Sequence, residues 1–79
     1  MSNFKPSVRI NKRNFTAEWK LFPTYRELKR NLIKLIDESY DNEVSVSRSK
    51  RGEWGEWGEW FENWAMSNGK PVIIKQGWM

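Results

Sequence analysis

The sequence predicts a small single α+β domain of order β-α-β-β-β, with one amphipathic helix packed on an antiparallel three- to four-stranded sheet. Three observations predict it. Phe15, Ala17, Trp19 and Leu21 alternate with Thr16, Glu18 and Lys20, the period of a half-buried strand. Residues 25–40 follow a capping box and carry an apolar stripe at helical spacing. Asn68-Gly69, a strong short-range hairpin signal, separates two strand-like runs near the C-terminus.

The elements follow in order. Residues 1–13 are polar and basic and contain Pro6, which predicts a basic N-terminal arm or a short edge strand ahead of a domain over 14–79. A strand over 14–22 ends at Pro23. Thr24 can accept from the amide of Glu27, starting a helix over 25–40 whose apolar arc holds Tyr25, Leu28, Leu32, Ile33, Leu35, Ile36 and Tyr40. A strand over 43–50 puts Val44 and Val46 on one face and Ser45, Ser47 and Ser49 on the other. Strands over 54–66 and 71–78 complete the sheet, in which the place of strand 14–22 is left open.

Turn chemistry predicts the registers. A type I′ turn at Asn68-Gly69 sets Glu62 opposite Lys75, Trp64 opposite Ile73 and Trp60 opposite Gly77. A two-residue turn at Arg51-Gly52 sets Val46 opposite Trp57, Ser49 opposite Trp54 and Lys50 opposite Glu53. One face then collects Val44, Val46, Trp57, Phe61, Ala65, Val72, Ile74 and Trp78 as the core. The other exposes Trp54, Trp60 and Trp64 with Glu56 and Glu62. Gly-Glu-Trp repeats three times over 52–60, a period of neither strand nor helix. A long strand with a bulge at Gly55 or Gly58 is the expectation, a loop over 50–58 its rival.

Composition excludes whole classes of function. A chain of 79 residues supports one core. It has no Cys and no His, hence no disulfide, thiolate nucleophile, imidazole base, or Cys or His metal ligand. No apolar run approaches a membrane span and the N-terminus lacks a secretory apolar region, so a cytoplasmic protein is expected. No phosphate-binding glycine loop is present, because Gly52, Gly55 and Gly58 are interleaved with Glu. The expectation is a protein that is not an enzyme and holds no cofactor or metal.

Charge supplies the positive lead. The net charge is +4, but residues 1–34 carry nine Lys or Arg against two Glu, and residues 35–79 five against eight acidic residues. Arg26, Arg30 and Lys34 form a ridge on the helix, which on its own is an ordinary solvated face. With Arg9, Lys12 and Arg13 in the arm and Arg48, Lys50 and Arg51 at a hairpin tip, it suggests phosphate contacts. The six Trp divide into an expected inward set, Trp19, Trp57 and Trp78, and an outward set, Trp54, Trp60 and Trp64. Outward Trp can stack on bases or anchor a protein interface.

These features point to a non-catalytic interaction protein that engages nucleic acid or a nucleic-acid-binding protein. The alternative is a small inhibitor or adaptor of mobile-element type that docks its Glu/Trp face (Trp54, Trp60, Trp64, Glu56, Glu62) on a basic protein. Glycan binding through Trp stacking is a third reading, and a homodimer through the Trp-rich sheet face is another way to cover it.

Overall fold

The computed structural model describes residues 5–79. Its order is β1 (Ser7–Asn11), a 3-10 turn (Arg13–Phe15), β2 (Ala17–Leu21), α1 (Tyr25–Arg30), α2 (Leu32–Glu38), β3 (Glu43–Arg51), β4 (Trp57–Ser67) and β5 (Lys70–Trp78). All strands are antiparallel to their neighbours in one five-stranded sheet, β2-β1-β3-β4-β5. The α+β expectation holds in this coarse form. The strand count does not, because the expected N-terminal arm contains β1. Residues 1–4 of that arm lie outside the described residues.

β1 is an interior strand, paired with β2 on one side and β3 on the other. Val8 and Ile10 are fully buried while Arg9 between them is exposed. The core joins these two to Val44 and Val46 of β3 and to Leu28, Leu32, Leu35 and Ile36 of the helical layer. Burying each such side chain contributes about 1.5–3 kcal/mol. The expected strand 14–22 shrinks to β2, because Asn14 and Phe15 take left-handed φ values of 67° and 59° in the preceding turn.

The helix starts as its capping box predicts, with the Glu27 amide donating to Thr24 Oγ1 at 3.1 Å. It breaks at Asn31, where the backbone N–H reaches Leu28 O and the side-chain amide donates to Glu27 O. It ends at Glu38 rather than residue 40, leaving Tyr40 exposed. Ser39 and Asp41 then tie the helix exit to the sheet. Asn11 N donates to Ser39 Oγ, and Asp41 accepts from Ser39 Oγ, Asn11 Nδ2 and Glu43 N. Burial works against the Asp41 charge, but these bonds outweigh it and hold its carboxyl below the ordinary carboxylate range.

The strands after the helix run over 43–51, 57–67 and 70–78 rather than 43–50, 54–66 and 71–78. The second hairpin departs most. Residues 52–56 form a loop closed by Gly52 N to Glu56 O at 2.7 Å, and Gly55 adopts φ 85°. The expected Arg51-Gly52 turn and the strand through 54 are thereby overturned. Val46 faces Glu62, and Val44 faces Trp64. Because side chains alternate, this change of parity moves every β4 residue to the opposite face from the one expected. Glu62 and Trp64 therefore lie on the helix side, and Phe61 and Ala65 on the bare side.

The third hairpin keeps its Asn68-Gly69 turn, both residues at positive φ, and pairs Trp64 with Ile73 as expected. A bulge between Asn63 and Trp64 leaves Ile74 without a partner on β4. Beyond it Glu62 faces Gln76, Phe61 faces Gly77 and Trp60 faces Trp78, not the expected Lys75 and Gly77 for Glu62 and Trp60. The bulge is thus in β5, not at Gly55 or Gly58. With Pro71 it interrupts the edge strand, where an unbroken ladder would invite pairing with another chain.

A candidate nucleic-acid interface

The predicted residues sort into three clusters, with Arg51, Trp54 and Glu56 apart at the tip of the second hairpin. The first lies between sheet and helix. Glu62 is 2% exposed, and its carboxylate accepts from Tyr25 Oη, from Arg48 Nε (3.4 Å) and Nη2 (3.2 Å), and from the indole N–H of Trp60 (3.1 Å) and Trp64 (3.2 Å). Strand alternation explains the cluster. Arg48, Trp60, Glu62 and Trp64 share the helix-covered face, and Tyr25 reaches it from the first turn of α1. The Arg48 guanidinium also stacks on the Tyr25 ring at 4.2 Å. Lys50 sits 3.8 Å from the centroid of Trp60, whose ring meets Trp78 edge-on at 5.0 Å.

The outward Glu/Trp face expected from sequence is therefore not assembled. Trp60, Trp64 and Glu62 are engaged with one another, and Trp54 and Glu56 sit apart in the second hairpin loop, Trp54 90% exposed. The expected inward set is also reversed. Trp19, Trp57 and Trp78 are all exposed, Trp19 at 59%. Arg48 and Lys50 are likewise occupied by the chain's own carboxylate and rings, so of the second hairpin's cations Arg51 is the exposed one.

Burial of the Tyr25 phenol, then its bond to Glu62 and that carboxylate's charge, raise its pKa well above the ordinary 10.0. A group raised in the folded state stabilises the fold fully below its unfolded pKa, and that contribution is lost as pH climbs toward the folded value. The wild type should therefore lose stability above about pH 10 more steeply than Tyr25→Phe, measured as urea midpoints between pH 8 and 11. Parallel profiles for the two proteins would contradict the network.

The second place is the helix exterior. Arg26, Arg30 and Lys34 are exposed there, and Arg30 lies 3.8 Å from Glu27. This ridge is on the opposite side of the sheet from Arg9.

The third place is the first hairpin. Arg9, Lys12 and Arg13 line an open concavity of about 800 Å³ with Phe15, Tyr40 and Asp41. Among the described residues none of the three cations is ion-paired. Arg9 lies 6.0 Å from the Trp19 centroid and Arg13 5.6 Å from that of Tyr40. Phe15 is fully solvent-exposed and held at positive φ, a conformation that costs a bulky residue about 1 kcal/mol or more. The Asp41 oxygens are already taken up by the bonds at the helix exit. The sequence signals the cations but not Trp19, Phe15 and Tyr40 beside them, since strand and helix periodicity places all three on buried faces.

No family model, no curated protein and no solved structure matches this chain. Among the described residues no group of acidic side chains is placed to hold a metal, and no helix is long and apolar enough to cross a membrane.

Proposed function

We propose that this protein is a non-catalytic nucleic-acid-binding protein that makes its primary contacts through Arg9, Lys12 and Arg13 on the first hairpin. The observation that carries this is the gathering of three unpaired cations around exposed aromatic rings, with the one nearby carboxylate already satisfied. Cations neutralise phosphates and release counterions, and adjacent rings offer base stacking. The helix ridge would supply at most a secondary contact, because it faces away from this site.

An electrophoretic shift series between about 50 and 200 mM salt tests it. Lys12→Glu/Arg13→Glu is expected to weaken binding by roughly tenfold or more at the low end and to flatten the log–log salt slope by about two. Absence of any DNA or RNA shift at low salt would end the proposal.

The exposure of Trp54 between Glu53 and Glu56 favours a second reading, docking of that loop on a basic protein surface. Trp54→Ala separates the two: it should leave the nucleic-acid shift unchanged, whereas loss of a partner's binding in calorimetry would support the loop.

A further inference from the structure

Among the described residues, the helical layer packs on one face of the sheet and no element packs on the other, the bare face. Pairing registers place one residue from every strand in a single row across that bare face: Trp19, Arg9, Ser45, Asn63 and Lys75. The neighbouring row carries Phe61, whose ring lies over Gly77, where an added Cβ would come within 3.4 Å of it. The Trp19 row spans four strand spacings, roughly 19 Å. It begins with an exposed ring, ends with an exposed ammonium, and has a guanidinium and two hydrogen-bonding groups between. Ser45 Oγ donates to Asn63 Oδ1 at 2.8 Å, which leaves the Asn63 NH2 available to a ligand.

We propose that this bare face binds single-stranded nucleic acid, with Trp19 stacking on a base and Arg9 and Lys75 contacting the phosphates. The inference rests on the nucleic-acid reading above and sharpens it from any nucleic acid to unpaired strands. Stacking needs bases released from a duplex, and a ring 59% exposed on an edge strand can meet one.

Charge selects this occupant. The face carries Arg9, Arg51, Lys70 and Lys75 against Glu43 and Glu59, an excess of cations that suits a polyanion. The middle of the face is polar, because β1 and β3 contribute Ser7, Arg9, Ser45 and Ser47 there. Protein interfaces concentrate apolar residues at their centre, whereas the middle of this face holds three hydroxyls and a guanidinium. A second copy related by a two-fold axis would bring the same net-positive surface against itself.

The experiment compares a fluorescently labelled oligothymidine with a blunt duplex of equal length, by anisotropy at fixed salt, for the wild type, Trp19→Ala and Trp19→Phe. The wild type should bind the single strand at least tenfold more tightly than the duplex. Trp19→Ala should lose roughly five- to a hundredfold on the single strand and little on the duplex, with Trp19→Phe restoring most of the loss. Light scattering on the same proteins checks for self-association. Equal affinity for both nucleic acids, or equal loss on both in Trp19→Ala, overturns the single-strand platform while the parent reading stands. Binding to neither overturns both. A stable dimer abolished by Trp19→Ala also overturns the platform, the bare face then being a self-association surface.

Discussion

Glu62→Ala is expected to cost the domain about 3–5 kcal/mol, the usual penalty for removing one partner of a buried ion pair. The carboxylate serves Tyr25, Arg48, Trp60 and Trp64 together. Its loss leaves a guanidinium, a phenol and two indole N–H groups without their acceptor, on a face closed by the helix. Each uncharged donor left unsatisfied carries about 1–3 kcal/mol if water cannot reach it. A domain of this size has roughly 4–12 kcal/mol of stability in all, so the substitution should bring it near the unfolding threshold. Glu62→Gln retains the volume and one acceptor oxygen but turns an NH2 donor toward other donors, and its cost should fall between wild type and Ala. Arg48→Met removes the other partner of the same pair and leaves the carboxylate charge buried with three neutral donors, so it should cost about as much as Glu62→Ala, about 3–5 kcal/mol. Urea denaturation followed by near-UV circular dichroism of the indoles checks the order. A Glu62→Leu protein as stable as wild type would show that the polar cluster contributes nothing.

The same residue explains which parts of the molecule could be anticipated from its sequence. The helix was legible because its start is local: Thr24 and Glu27 lie three residues apart and their bond needs no tertiary information. Its break was not, since Asn31 is an unremarkable surface residue until its side chain replaces a backbone donor. The Asn68-Gly69 turn was legible for the reason that it requires two positive φ values, which those residues tolerate. The second hairpin offered two solutions. A two-residue turn at Arg51-Gly52 kept Glu62 out of the core, whereas the five-residue loop over 52–56 buries it. The two-residue turn is what the sequence favours, because its register agrees with that of the Asn68-Gly69 hairpin and gathers Val44, Val46, Phe61 and Val72 on one face. The competing signal is Trp60-x-Glu62-x-Trp64, which puts two indole donors on the carboxylate's own face, with Arg48 one strand away. One parity error there exchanged the inward and outward Trp sets, and with them half of the candidate site. The exposure of Arg9 and Arg13 was legible because exposed charge does not depend on register.

Ile10→Ala is expected to cost about 2–5 kcal/mol, as for other large-to-small changes at fully buried positions. At about 4–8 °C per kcal/mol in a domain this small, the melting temperature should fall by at least about 8 °C. The physical reason lies in the position of β1. It is bonded on both sides, its inward residues Val8 and Ile10 pack against Leu28, Leu32, Leu35 and Ile36, and it separates β2 from the rest of the sheet. Were the segment an arm, truncating one of its side chains would cost nothing. Arg9→Ala provides the internal control, since the same strand carries it on the bare face, where substitutions stay within about 0.5 kcal/mol. The two variants also divide stability from binding. Ile10→Ala should lower the melting temperature while its folded fraction keeps the wild-type salt slope. Arg9→Ala should melt like the wild type and bind nucleic acid more weakly. If Ile10→Ala melts within two or so degrees of wild type, β1 is not part of the core, and the bare face loses the strand that supplies Arg9.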